Sequence, residues 1–284
     1  MTGVSDEARL GQFFTPRGVV EFALDALAAF GAEIESARVI DPACGPGEWL
    51  QAALERGATE VVGMDCDPAM AAVWRDSGLA AAPPCRLLVT DALLAGARCG
   101  RFDLVVGNPP FGAELRASDE GLRCIAAEHH LHLGARGPRT PREPSAAEID
   151  RLRRFPTELL FLERFVTLCR PGGWIAVVLP EGLLANTRWR YVRQWLLGVL
   201  TVHAVVALPR ATFRAHATTA RTCLLLMRNT PAPPDHRVAL AEVDECSRSE
   251  LNALLESLAA GETVADHLPE GLLPPPLLRD GSAE

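Results

Sequence analysis

The chain reads as an α/β protein. It is expected to have a mostly parallel sheet of seven strands, ended by a late antiparallel hairpin and covered by helices on both faces. Three observations predict this. Short β-branched runs alternate with helical stretches through the first two thirds of the sequence. Successive runs stop at Asp41, Asp65, Asp91 and Asn108, a series of polar residues expected where parallel strands end along one crevice. Two later apolar runs, 201–208 and 222–228, lie a moderate loop apart, which fits a terminal hairpin.

Taken in order, Thr15-Pro16 launches a helix over residues 19–30, because proline is pre-set for a first helical turn. Strands follow at 38–40, 61–64, 86–89, 102–106 and 174–179, with helices at 48–56, 68–77 and 157–169 between them. Pro171-Gly172-Gly173 reads as the stop of the last helix, leading into the next strand. Residues 112–154 carry Gly134, Gly137, Pro138, Pro141 and Pro144 without a sustained period. They read as an irregular insertion on the face where the strand before Asn108 ends. Residues 1–228 thus form one domain. Residues 229–284 form an acidic, Pro-rich extension with one strand at 237–243 and one helix at 249–259.

Composition excludes several classes. The 284 residues suffice for a full core, and no apolar run approaches the roughly 20 residues of a bilayer span. No secretory leader pattern opens the chain. Eight scattered cysteines with no CxxC pair argue for reduced thiols in a cytoplasm and against a zinc site. His129, His130 and His132 cluster without companions at metal-ligand spacing, so they read as a solvated face and no metal is expected. The net charge is −8, yet residues 182–234 hold 7 arginines and no acid, a single basic segment in an acidic body. That balance implies weak stand-alone binding to a duplex, where phosphate neutralisation supplies most non-specific affinity.

The chemistry concentrates at the strand ends. In Asp41-Pro42-Ala43-Cys44-Gly45-Pro46-Gly47, Gly45 and Gly47 permit a tight turn and a close ligand approach. The dinucleotide spacing G-x-G-x-x-G is absent, and Asp41 suits an ammonium or sulfonium rather than a phosphate. Asp65, followed by Cys66, can take both hydroxyls of a ribose, and Asp91, followed by Ala92, can accept from an adenine amine. Asn108-Pro109-Pro110-Phe111 follows the fourth strand. The Asn108 side-chain carbonyl and the Pro109 carbonyl are acceptors for an NH2 group, with no competing proline N–H, and Phe111 can stack on a planar ring. A plain Pro-rich turn with Phe111 in the core is the alternative reading of the tetrapeptide alone.

These motifs, in this order over residues 11–228, resemble the catalytic domain of the S-adenosylmethionine-dependent DNA adenine-N6 methyltransferases, and within them the type I modification subunits. The resemblance implies a Rossmann-like class I methyltransferase fold. Gly11-Gln12-Phe13-Phe14-Thr15-Pro16 resembles the leading motif, which implies cofactor contacts from Gln12, Phe14, Thr15 and Pro16. Asp41, Ala43, Gly45 and Gly47 fall on the glycine-loop motif, Asp65 and Cys66 on the ribose position, and Asp91 and Ala92 on the adenine position. Asn108, Pro109, Pro110 and Phe111 are the catalytic tetrapeptide, with Phe where many relatives have Tyr. Leu208-Pro209, Phe213 and Thr219 resemble a late motif whose aromatic packs beside a flipped base.

The resemblance implies methyl transfer to the N6 amine of adenine in DNA, in or near a restriction-modification system. Arg188, Arg190, Arg193, Arg210, Arg214 and Arg221 are candidates for phosphate contacts. The chain departs from the family in having only 56 residues after Arg228. A specificity or target-recognition partner is therefore expected, unless residues 112–154 read the DNA. Methylation of an RNA base or a protein glutamine, and a non-catalytic cofactor-binding subunit, remain the alternatives.

Overall fold

The computed structural model describes residues 14–95, 99–115, 117–134, 143–213 and 221–261. The first half runs α1 (Arg17–Ala29), β1 (Arg38–Asp41), α2 (Glu48–Glu55), β2 (Glu60–Asp65), α3 (Met70–Asp76), β3 (Cys85–Val89), α4 (Ala92–Ala95) and β4 (Phe102–Gly107). There follow α5 (Asp119–Glu128), α6 (Ala146–Arg153), α7 (Thr157–Leu168), β5 (Cys169–Pro180), α8 (Gly182–Ala185) and α9 (Arg190–Val199). The chain then forms β6 (Thr201–Leu208), β7 (Thr222–Arg228), β8 (Ala239–Glu242) and α10 (Arg248–Ala259).

The strands form one sheet in the order β3-β2-β1-β4-β5-β7-β6-β8. The first five pair in parallel, and β7 lies antiparallel between β5 and β6, with Pro180 and Leu208 both opposite Thr222. The strand order reverses between β1 and β4, where Ile40 lies beside Val105. Open α/β sheets hold their ligands at such a switch point.

Alternation along each strand fills two cores. Val39, Leu104, Val106, Ala176 and Val178 join Val19, Leu27 and Leu50 on one face. Ile40, Val105, Ile175 and Val177 join Leu122, Leu159 and Phe165 on the other. Burial on both faces is why these strands read as continuous apolar runs.

Several expectations are corrected. The sheet has eight strands, not seven: β8 pairs in parallel with β6, Val205 facing Leu240. The tail helix α10 buries Leu251, Leu254 and Leu258 in the same core as α1, so residues 229–261 complete the domain rather than trail from it. Pro171-Gly172-Gly173 lies inside β5 rather than before it. There the Gly172 and Asn229 amides donate to the Asn229 and Gly173 carbonyls, each at 2.8 Å.

The insertion is more regular than its sequence suggests. Ser118 caps α5 through the Gly121 amide, and Ser145 with Glu148 forms a capping box on α6. The histidines do not form a solvated face: His129 and His132 are 1% and 6% exposed. The His129 Nδ1–H donates to the Ile125 carbonyl at 3.0 Å, and burial pushes its pKa down to about 3, aided by the charge of Arg164. The Glu163 carboxylate accepts the His130 and Leu131 amides at 2.7 and 3.1 Å, while burial raises it to about 7. Among the described residues no helix is long and apolar enough to cross a membrane, and no cluster of side chains could hold a metal ion.

Candidate active site

A cavity of about 310 Å³ opens at the carboxyl edge of the sheet, over the switch point between β1 and β4. Asp41, Asp65 and Asp91, from the ends of three strands, line it together with Asn108 from the end of the fourth. Ala43, Gly45, Cys66, Ala92, Pro110, Phe14 and Thr15 complete the expected set that faces it.

One local device recurs at all three acids. Each carboxylate accepts the backbone N–H two residues on: Ala43 to Asp41 at 2.9 Å, Asp67 to Asp65 at 2.8 Å, and Leu93 to Asp91 at 2.9 Å. This Asx turn bends the chain off the sheet while holding the acid at the cavity wall. The second oxygen of Asp65 accepts the Gly45 amide at 2.9 Å, tying the loop after β1 to the end of β2. The indole N–H of Trp74 donates to the Gly45 carbonyl at 2.7 Å and fixes the same turn. Gly45 itself has φ +49°, and a Cβ there would lie 2.9 Å from the Phe14 ring. Gly107, at φ +149°, lets β4 pass against Asp41, whose carboxylate would collide with any side chain at that position.

Electrostatically the cavity is a desolvated acidic site. Asp41 is 1% exposed, and burial lifts its pKa to about 8, with the neighbouring Asp65 charge adding to the rise. Burial also raises Asp65 and Asp91, partly offset by the amides they accept and, at Asp91, by the Arg164 charge. Asp41 Oδ2 and Thr15 Oγ1 are buried with no hydrogen-bond partner among the described residues. A cation at this cavity would favour the ionised acids, and a polar ligand would satisfy both atoms.

Not every expected residue reaches the cavity. Gly47 caps α2 in a left-handed turn, Pro16 is exposed at the start of α1, and Pro109 is buried beneath the loop. Phe111 was expected to stack on a planar ring, but it is 9% exposed and packs in the core beside the sheet. Phe213 is likewise 1% exposed in that core, and neither residue lines the cavity. Arg193 is buried and donates to the Leu183 and Asn186 carbonyls at 3.3 and 2.8 Å, which makes it a brace rather than a phosphate contact.

Arg188, Arg190, Arg210 and Arg221 are exposed. The segments after β5 and β6, and the one before β7, leave the sheet at its carboxyl edge, so these four arginines share an edge with Asn108. Gln12, Arg214 and Thr219 lie outside the described residues. The sequence reading missed Trp49, Thr90, Leu115, Thr157 and Phe161 in the cavity wall. Thr90 directly follows β3 beside Asp91, whereas the others belong to no strand-end pattern, and only the packing of α2 and α7 brings the aromatic pair there.

Comparison with known proteins gives the family and the fold. Residues 39–128 match a methyltransferase domain family, and residues 89–256 match the N-6 DNA methylase family. The Type II methyltransferase M.TthHB8I of Thermus thermophilus is 27% identical over 189 residues, which cover 66% of this chain and 38% of that protein. The Defense against restriction protein B of Escherichia phage P1 is 22% identical over 269 residues, covering 92% of this chain and 10% of that protein. This chain therefore spans well under half the length of either curated relative. A type I restriction-modification system methyltransferase subunit from Streptococcus thermophilus shares the fold with a TM-score of 0.62. It is 18% identical, and the match covers 89% of this chain and 54% of that one.

Proposed function

Because the chain belongs to the N-6 DNA methylase family, we propose that it transfers a methyl group from S-adenosylmethionine to the N6 amine of adenine in DNA, within or beside a restriction-modification system. The observation that carries this reading is the single cavity shared by three strand-end acids and Asn108. The residues present fit the cofactor: buried Thr15 Oγ1 and Asp41 Oδ2 await polar partners, and a bound sulfonium or ammonium would return Asp41, which burial holds protonated, to its ionised form. Thr15 and Asp41 would hold the methionine end, Asp65 the ribose hydroxyls and Asp91 the adenine amine. When bound, S-adenosylmethionine supplies an activated methyl group on sulfur.

The chain's own task is positioning and electrostatics. The side-chain carbonyl of Asn108, which lines the cavity, would accept an N–H bond of the target amine and draw its lone pair toward the cavity. No strong base is required, because the nitrogen becomes acidic once methylated. The target base must leave the stack to reach this depth. Phe161 lines the cavity and Phe111 does not, so an edge of the Phe161 ring is what a base entering there would meet.

Methyl transfer to unmethylated DNA tests the reading. Asn108→Ala is expected to abolish transfer with cofactor affinity nearly unchanged, since the residue acts on the amine mainly in the transition state. Loss of folding and cofactor binding together would make Asn108 a turn residue only.

A further inference from the structure

We infer that Glu158, at the start of α7, is a positioning residue for the loop that presents Asn108 to the cavity. Its carboxylate accepts the Gly112 amide at 3.3 Å, one residue past the tetrapeptide. Its neighbour Thr157 donates its hydroxyl to the Ala113 carbonyl at 2.7 Å. Both side chains are buried, 9% and 5% exposed, where a lost partner cannot be replaced freely by water. The same loop is anchored from the other direction by Phe111 in the core. Asn108 thus sits at the head of a loop whose following residues, 111–113, are held between the core and α7.

The helix that supplies the pins also forms the cavity wall. Phe161, one turn on, lines the cavity, and Arg164, two turns on, donates to the Leu93 carbonyl at 2.9 Å beside Asp91. One rigid helix therefore spaces the amine-binding loop from the Asp91 wall. A shift of about 1 Å in such a spacing costs on the order of a hundredfold in rate. Thr157 also faces the cavity, so Glu158, which does not line it, is the cleaner probe.

The inference rests on the proposed methyl transfer for its catalytic consequence but not for its structural one, and the experiment separates them. Glu158→Leu removes the acceptor, Glu158→Gln keeps a carbonyl oxygen in place, and Thr157→Val removes the second pin if the leucine variant fails to fold. In the full chain, hydrogen–deuterium exchange over residues 107–115 should accelerate about tenfold or more in Glu158→Leu and be largely restored in Glu158→Gln. Turnover on unmethylated DNA should fall about 10- to 100-fold in Glu158→Leu at unchanged affinity for S-adenosylmethionine, with Glu158→Gln near wild type. Unchanged exchange in both Glu158→Leu and Thr157→Val, or faster exchange with wild-type turnover, overturns the inference. A wild-type chain that transfers no methyl group, alone or with a base-reading partner, instead overturns the functional reading, and the exchange data still decide whether Glu158 holds the loop.

Discussion

Single carboxylates at the strand ends do two jobs, and the two can be measured apart. Asp65 spends both oxygens on backbone amides yet still faces the cavity, because each carboxylate oxygen can accept a second hydrogen bond. If those remaining acceptor sites take ribose hydroxyls, Asp65→Ala weakens S-adenosylmethionine by about 1–3 kcal/mol, the range for a charge-assisted bond. Calorimetry returning wild-type affinity would remove Asp65 from the site. Asp41 carries a pH signature of its own. Its folded carboxyl keeps a proton up to about pH 8, whereas the ordinary carboxyl releases it near 3.8. The folded state binds more protons across that window, so the stability it contributes is full below about pH 4 and is lost as pH rises toward 8. Thermal melts of the ligand-free protein should show this decline in wild type and a flatter profile in Asp41→Asn, which keeps an acceptor for the Ala43 amide. Parallel profiles would mean that Asp41 is not held protonated.

At the scale of elements, the described part of the insertion after the Asn108 loop is packed against the sheet, and His129 is part of that packing. His129 closes α5 through the Ile125 carbonyl and is nearly fully buried. The folded imidazole stays neutral down to about pH 3, while an unfolded one protonates near 6.5. The unfolded state then binds more protons below pH 6.5, and stability falls with acidification by up to about 1.4 kcal/mol per pH unit. His129→Gln keeps a donor for the carbonyl but cannot titrate, so its stability should be less steep between pH 6.5 and 4. Equal slopes would place the acid sensitivity elsewhere. The strand-end order of Asp41, Asp65, Asp91 and Asn108 was legible from local sequence, because parallel strands all deliver their carboxyl ends to one edge. The helices of the insertion were not, since their glycines and prolines flank short elements whose caps, Ser118 and Ser145, are weak signals alone.

For the whole molecule, charge and topology bear on DNA together. The chain carries a net charge of −8, while Arg188, Arg190, Arg210 and Arg221 stand exposed on the sheet edge that holds the cavity. The isolated chain is expected to bind DNA weakly and without sequence preference, because phosphate contacts position but do not specify. Each arginine that touches phosphate should contribute about 0.9 to the slope of log affinity against log salt, so Arg188→Ala or Arg210→Ala lowers that slope by about one. Arg193→Ala should leave it unchanged, its guanidinium being committed to main-chain carbonyls. Site-specific methylation is expected only with a second polypeptide that reads bases. Mapping methylated adenine after expressing this chain alone in a methylation-free host decides the point. One sharp, fully modified motif without a partner would show the chain to be self-sufficient.

Periodicity and the polar strand ends were enough to determine the class of fold, the edge of the sheet at which the cavity opens and the acids that line it. These features are local, and parallel connectivity turns local order into spatial order with no further information. Which rings face the cavity was decided by tertiary structure. Phe111 and Phe213 look like base-stacking residues in one dimension, but neither lines the cavity, while Phe161 and Trp49, buried in the cores as well, reach its wall from helices that no motif marks. The same holds for the place of β8: a strand was legible at 237–243, but its joining the sheet depended on the open edge that β6 offers. Side-chain burial and edge pairing depend on what arrives from elsewhere in the chain, and a local pattern cannot encode its partner.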